Sequence, residues 1–177
     1  MSHELDGRRV PYVAKPYRTV LLNGDGLWRL RTLDDLAQAL DSDTTTIANV
    51  LHELPTRVRG NIVDVKVAGE LVELKIKDGP NSWVKLSALG RIYPLGSISL
   101  ALELAVAFAQ VQAEVEPTLL VLDEIMGALQ SEIMQRVYSF LADSALTFQI
   151  VMATVRDPPD NYRGEWLLTT FRHGILM

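Results

Sequence analysis

The chain has 177 residues, 48% of them hydrophobic, enough for one sizeable core and one domain. Seventeen basic residues against 22 acidic ones leave a net charge of −5, which argues against a strong overall electrostatic grip on nucleic acid and leaves only local basic patches for that role. Having no cysteine excludes disulfides and thiolate metal sites, as suits a cytoplasmic protein; the first residues show no signal-peptide pattern, and Glu103 interrupts the apolar run 100–111, so no membrane contact is expected.

Residues 1–16 are polar with scattered aromatics and read as loop with a short edge strand near 10–13, since Pro11 and Pro16 disfavour a central strand. The apolar run Val20-Leu21-Leu22 then ends in Asn23-Gly24-Asp25-Gly26, a strand entering a tight loop. Leu33, Leu36, Ala37 and Leu40 follow at helical spacing, with Thr32 as N-cap and Asp34 and Asp35 in the first turn. Strand, glycine loop and helix in that order can cradle a phosphate. After a turn at 41–43, Ile47, Val50, Leu51 and Leu54 mark one face of a second helix. Ile62, Val63, Val65 and Val67 lead to a turn at Ala68-Gly69, and Leu71, Val72, Leu74 and Ile76 return, with Asp64, Lys66, Glu73, Lys75 and Lys77 toward water.

Residues 97–115 predict a helix apolar on nearly every side, hence buried against a sheet. The strongest stretch is 118–130, Thr-Leu-Leu-Val-Leu-Asp-Glu-Ile-Met-Gly-Ala-Leu-Gln. Its unbroken apolar run predicts a buried parallel strand that brings Asp123 and Glu124 to the carboxyl edge of the sheet, where ligands of open α/β sheets bind. There the first acid can hold Mg²⁺ through a water and the second can polarise a water attacking a phosphoryl group. The plainer reading is that both acids favour the N-terminus of the next helix. An amphipathic helix over 131–142, a second buried strand over 148–154 and a third over 165–171 complete the chain; His3, His52 and His173 share no metal-ligand spacing.

From residue 17 onward this order resembles the ABC-type ATPase heads of the RecF and SMC kind, with 119–129 matching the Walker B segment best. The resemblance implies one domain over 1–177 with an α/β fold: a RecA-like, ABC-type, mostly parallel sheet flanked by helices, with an antiparallel β-hairpin subdomain. It places Glu124 as catalytic residue and Asp123 at the metal. Residues 23–31 take the place of the phosphate loop, with Asn23, Gly24, Gly26 and Arg29 toward the nucleotide and Arg29 where the lysine belongs. Trp28 stands where a glycine should be, and Leu30 and Arg31 stand where a hydroxyl should ligate Mg²⁺. Ser87 and Gly90, in Leu86-Ser-Ala-Leu-Gly-Arg91, occupy the signature position, but their spacing is one residue too long and Arg91 replaces Gln or Glu; Ser97 offers an alternative cap for the long helix. Ile125 replaces a proline, 127–130 resembles the Ser-Ala-Leu-Asp turn with Gln130 for the aspartate, and Val155-Arg156 stands where a γ-phosphate-sensing histidine belongs.

In such heads the phosphate-loop strand lies beside the strand after Walker B and also touches the last strand, so 19–23 is expected between the C-terminal strands. The resemblance further implies ATP and Mg²⁺ as ligands. The partner is a second copy or another ATPase-type subunit, in a DNA-repair, chromosome-maintenance or defence assembly that reaches DNA through its members. Losing one positioned donor costs about a hundredfold in phosphoryl transfer. With lysine, hydroxyl, signature and histidine all replaced, hydrolysis by the chain alone is expected to be weak or absent. A second resemblance competes over 32–76: two helices and a hairpin also look like a winged helix, spanning 15–80 ahead of an ATPase-derived dimerisation domain at 81–177. Thr44, Thr45, Thr46 and Asn49 would then face DNA, with no lysine or arginine beside them until Arg57 and Arg59, after the helix.

Overall fold

Hydrophobic alternation builds the centre of the molecule. The computed structural model describes residues 2–5, 8–11, 17–77, 79, 81–93, 95–125, 129–145, 148–154, 156, 159–162, 171–172 and 175–176. Two short strands, β1 (Ser2–Leu5) and β2 (Arg8–Pro11), form an antiparallel ribbon. Strand β3 (Arg18–Asn23) follows, then a 3-10 turn (Leu27–Arg29) and helices α1 (Leu33–Ala39) and α2 (Thr44–Arg57). Strands β4 (Ile62–Ala68), β5 (Leu71–Ile76) and β6 (Val84–Lys85) make an antiparallel sheet in that order. Helices α3 (Leu86–Ile92) and α4 (Gly96–Ala113) lead to β7 (Thr118–Asp123), α5 (Ser131–Ser144) and β8 (Gln149–Ala153). A second 3-10 turn (Asp160–Tyr162) precedes the antiparallel pair β9 (Phe171–Arg172) and β10 (Ile175–Leu176).

The coarse expectation of an α/β fold with a parallel sheet and an antiparallel hairpin unit is met: β3, β7 and β8 form a parallel sheet in the order β3-β7-β8. The strand order differs from the one expected, because β7 lies between β3 and β8 rather than β8 lying beside β3. The expected third strand, 165–171, falls almost wholly outside the described residues.

Capping explains where the first two helices begin. Thr32 caps α1 in a capping box with Asp35, and Asp43 caps α2 by accepting from the Thr46 amide at 2.8 Å. The apolar faces read from the sequence are the buried ones: Leu33, Leu36 and Ala37 in α1; Ile47, Val50, Leu51 and Leu54 in α2. In the hairpin a register shift between Ile62 and Asp64 turns Val63 outward, so it is exposed rather than in the core row.

Helix α4 is the spine of the core. At 18 residues it is the one described helix long and apolar enough to cross a membrane by length and composition. Here it packs on β3, β7, α2 and α3. It starts at Gly96 with Leu95 as N-cap, not at Ser97; the Ser97 Oγ is buried without a hydrogen-bond partner. Within α4 the fully buried Glu103 accepts from the Asn61 amide (2.5 Å), the Ile62 amide (3.1 Å) and the Ser99 hydroxyl (3.1 Å). Burial pushes its carboxyl above the ordinary range, and these three bonds only partly offset that. The carboxylate thus ties the start of β4 to the spine, and a Cβ at Gly60, 2.0 Å from the Glu103 Cδ, would force that carboxylate to move.

The parallel sheet has two unlike faces. On one, Val20, Leu22, Leu120 and Leu122 are buried, in the same core as α4 and as Met134, Tyr138 and Leu141 of α5. Strands added in one direction through right-handed crossovers place their helices on one face. The opposite face is left uncovered by the described residues: Thr19, Leu21, Asn23, Gln149, Val151 and Ala153 are exposed, and Leu119, Val121 and Asp123 half-buried. The expectations of a fully buried 118–123 run and a buried 148–154 strand are therefore corrected. In β7 the apolar residues are buried on alternate positions only, and in β8 Ile150 and Met152 are no more than half-buried, because none of the described elements packs on the second face.

Candidate functional site

The carboxyl edge of the sheet brings the early loop and the acidic pair together. Asn23 is the register partner of Asp123, and the Gly24 amide donates to the Asp123 carbonyl at 2.7 Å. Gly24 is required by this closeness: a Cβ there would lie 2.5 Å from the Glu124 carbonyl oxygen. Asp123 ends β7 half-buried, whereas Glu124 is exposed and holds a left-handed backbone (φ +53°), its amide donating to the Ala153 carbonyl at 2.9 Å. Such a conformation in a non-glycine residue is a common mark of functional edges. Neither acid makes an ion pair among the described residues. No three of their His, Asp or Glu side chains cluster closely enough to hold a metal, so an ion such as Mg²⁺ would need phosphate and water oxygens besides this pair.

The turn after β3 is built differently from a phosphate cradle. Gly26 takes φ +82°, a conformation natural to glycine, and the chain then winds one 3-10 turn. Several donors that could face an anion are used internally. The Asp25 amide bonds Asn23 Oδ1 (2.8 Å), the Leu27 amide bonds the Gly24 carbonyl (3.5 Å) and the Arg29 amide bonds the Gly26 carbonyl (2.8 Å). At the start of α1 the Arg31 and Thr32 amides both donate to Asp35 Oδ2, at 2.8 and 2.9 Å. Asp35 thus sits where a bound anion would sit; desolvation alone would raise its carboxyl, but these amides and the Thr32 hydroxyl hold it below the ordinary carboxylate range. Asn23, Gly26 and Arg29 line one groove of about 880 Å³ that runs along the outer edge of β3 to α1.

Ser87 and Gly90 do not join that groove. Both belong to α3, whose Leu86 and Leu89 face the core, and they line a second cavity of about 540 Å³ with Leu30, Arg31, Ala88 and Arg91. By sequence alone Arg31 and Arg91 stand out only as departures from a motif. Arg156 was missed in the same way: its guanidinium donates to the Leu129 carbonyl and its amide to the Thr154 hydroxyl (3.1 Å), which ties the end of β8 to the segment after β7. Of the turn expected over 127–130, residues 127 and 128 lie outside the described residues, as does Val155.

Around α2, Arg57 is engaged by Glu53 (2.5 Å) and Glu114 (2.6 Å), so its charge is already matched. The Thr46 hydroxyl donates to Asp43 (2.7 Å), and the buried side of α2 packs on α1, β4 and α4. What α2 leaves outside is Thr44, Thr45, Asn49, His52, Glu53 and Thr56, without a lysine or arginine.

Set against known proteins, the chain matches no protein-family model, and no curated protein matches it.

Proposed function

We propose that the chain is an ATPase-like protein of the RecF and SMC type that has lost turnover and serves as a structural partner in a DNA-repair, chromosome-maintenance or defence assembly. The observation carrying this reading is the carboxyl edge itself: Asp123 and Glu124 end a central parallel strand directly against the Asn23–Gly26 turn, while the Gly24 and Asp25 amides are satisfied within the protein. The pair is suited to Mg²⁺ and to a water, and the missing piece is a preorganised seat for the phosphates. On this reading ATP binds weakly or not at all, and DNA is reached through the assembly. The uncovered sheet face supports a partner role, since parallel sheets are ordinarily covered on both faces; the partner is a second copy or another ATPase-type subunit.

Titration with ATP, with and without Mg²⁺, is the direct test, run alongside a phosphate-release assay on the wild type, Glu124→Gln and Arg29→Ala. The expected result is phosphate release from the wild type no faster than from Glu124→Gln. Turnover that Glu124→Gln abolishes would show a working active site and overturn the reading. The winged-helix alternative draws less support, because Arg57 is already bound by two carboxylates.

A further inference from the structure

We propose that the cavity between the end of the 3-10 turn and α3 binds a phosphate group, held by Arg31, Arg91 and Ser87. The proposal stands apart from the carboxyl edge, whose acidic pair takes no part in this cavity. Helical spacing makes the wall: with Leu86 and Leu89 turned into the core, positions 87, 90 and 91 share the outward face of α3. The opposite wall comes from Leu30, which is buried, and Arg31, which is exposed. The Arg31 backbone is fixed by its amide bond to Asp35 Oδ2 (2.8 Å). Both arginines are exposed, and neither guanidinium makes a hydrogen bond or ion pair among the described residues; Asp35 is the acid whose charge Arg31 feels.

Two guanidinium forks, which only donate, and a hydroxyl that can donate surround about 540 Å³. In a chain of net charge −5 such a pair is not the product of a generally basic surface. Guanidinium forks match phosphate oxygens two at a time, Ser87 supplies a third donor, and Gly90, having no side chain, leaves room for the group to approach α3. A carboxylate ligand would satisfy one fork; the volume and two forks favour a phosphate, carried by a nucleotide or by a nucleic-acid end.

Calorimetric titration with inorganic pyrophosphate at low salt, without Mg²⁺, tests this on the full chain. Saturable one-to-one binding is expected, weakened about tenfold or more by Arg31→Ala and by Arg91→Ala. Arg31→Lys should also bind more weakly, since it keeps the charge and loses the fork. Lys77→Ala, which removes an exposed charge elsewhere, should bind as the wild type does. Circular dichroism and thermal melting check that the variants fold, as these exposed positions allow. Parallel titrations with ATP and with a 5′-phosphorylated oligonucleotide against its unphosphorylated form identify the carrier; preference for either phosphate supports the site. A wild type that takes up no pyrophosphate overturns the proposal, as does binding that survives the double variant Arg31→Ala, Arg91→Ala.

Discussion

Glu124 carries its carboxylate on a backbone that other residues avoid, with φ +53° and an exposed side chain. Left-handed backbone costs a non-glycine residue about 1–2 kcal/mol, part of which glycine returns as unfolded-state entropy. Glu124→Gly should therefore raise stability by roughly 0.5–1 kcal/mol, read as a higher urea midpoint. A lower midpoint would mean that the carboxylate itself supports the fold. Glu103 is the opposite case, a buried acid doing structural work. Glu103→Ala leaves two amides and a hydroxyl without their acceptor and should cost about 3 kcal/mol or more, and Gly60→Ala should destabilise comparably by forcing the same carboxylate aside. The pH dependence follows from the direction of each shift. Glu103 titrates higher folded than unfolded, so its contribution is complete below about pH 4.3 and is lost as pH rises through the folded value. Asp35 and Asp43 titrate lower folded than unfolded, so their contributions are present above the unfolded value and fade in acid. Urea unfolding from pH 4 to 7 should show stability declining with pH more in the wild type than in Glu103→Gln; parallel curves would remove Glu103 as the cause.

Elements with a strong period could be read from the sequence alone. Ile47, Val50, Leu51 and Leu54 are buried as their spacing requires, and Thr32 caps the helix it precedes. What escaped the sequence depends on neighbours rather than on period. The shift that turns Val63 outward is a property of the β4–β5 pair, and β6, only two residues long, exists because β5 offers it an edge. Likewise, the run Thr118-Leu-Leu-Val-Leu has no internal signal that one sheet face will stay open. The Asn23-to-Asp123 proximity was expected from an overlay, yet which strand lies beside β3 is a topological fact that spacing cannot encode. Ser97 shows how a plausible cap can mislead: the helix starts one residue earlier and the hydroxyl is buried unpartnered. Because an unsatisfied buried hydroxyl is costly, Ser97→Ala should leave thermal stability unchanged or raise it by up to about 1 kcal/mol. A clear loss would show that the hydroxyl has a partner in solution, such as an ordered water.

At the scale of the whole molecule, the proposed partner role falls to the open sheet face. Leu21, Val121 and Val151 are register partners in one row across β3, β7 and β8, with Leu21 49% and Val151 45% exposed. Three short strands offer only a few hundred Å² of face, well under the roughly 800 Å² per partner of a stable interface. A partner seated on it must therefore also occupy the groove along the β3 edge, where Leu21, Asn23 and Arg29 already line about 880 Å³. Association should then depend on this row while folding does not. The double variant Leu21→Arg, Val151→Arg places two charges where the wild type is already open to water, so its melting temperature should stay within a few degrees of the wild type. Light scattering over a concentration series should show the wild type self-associating and the double variant monomeric. A wild type that is monomeric throughout would remove self-association through this row. A large drop in melting temperature would show that the row packs within the chain, and equal association of both forms would place the contact elsewhere.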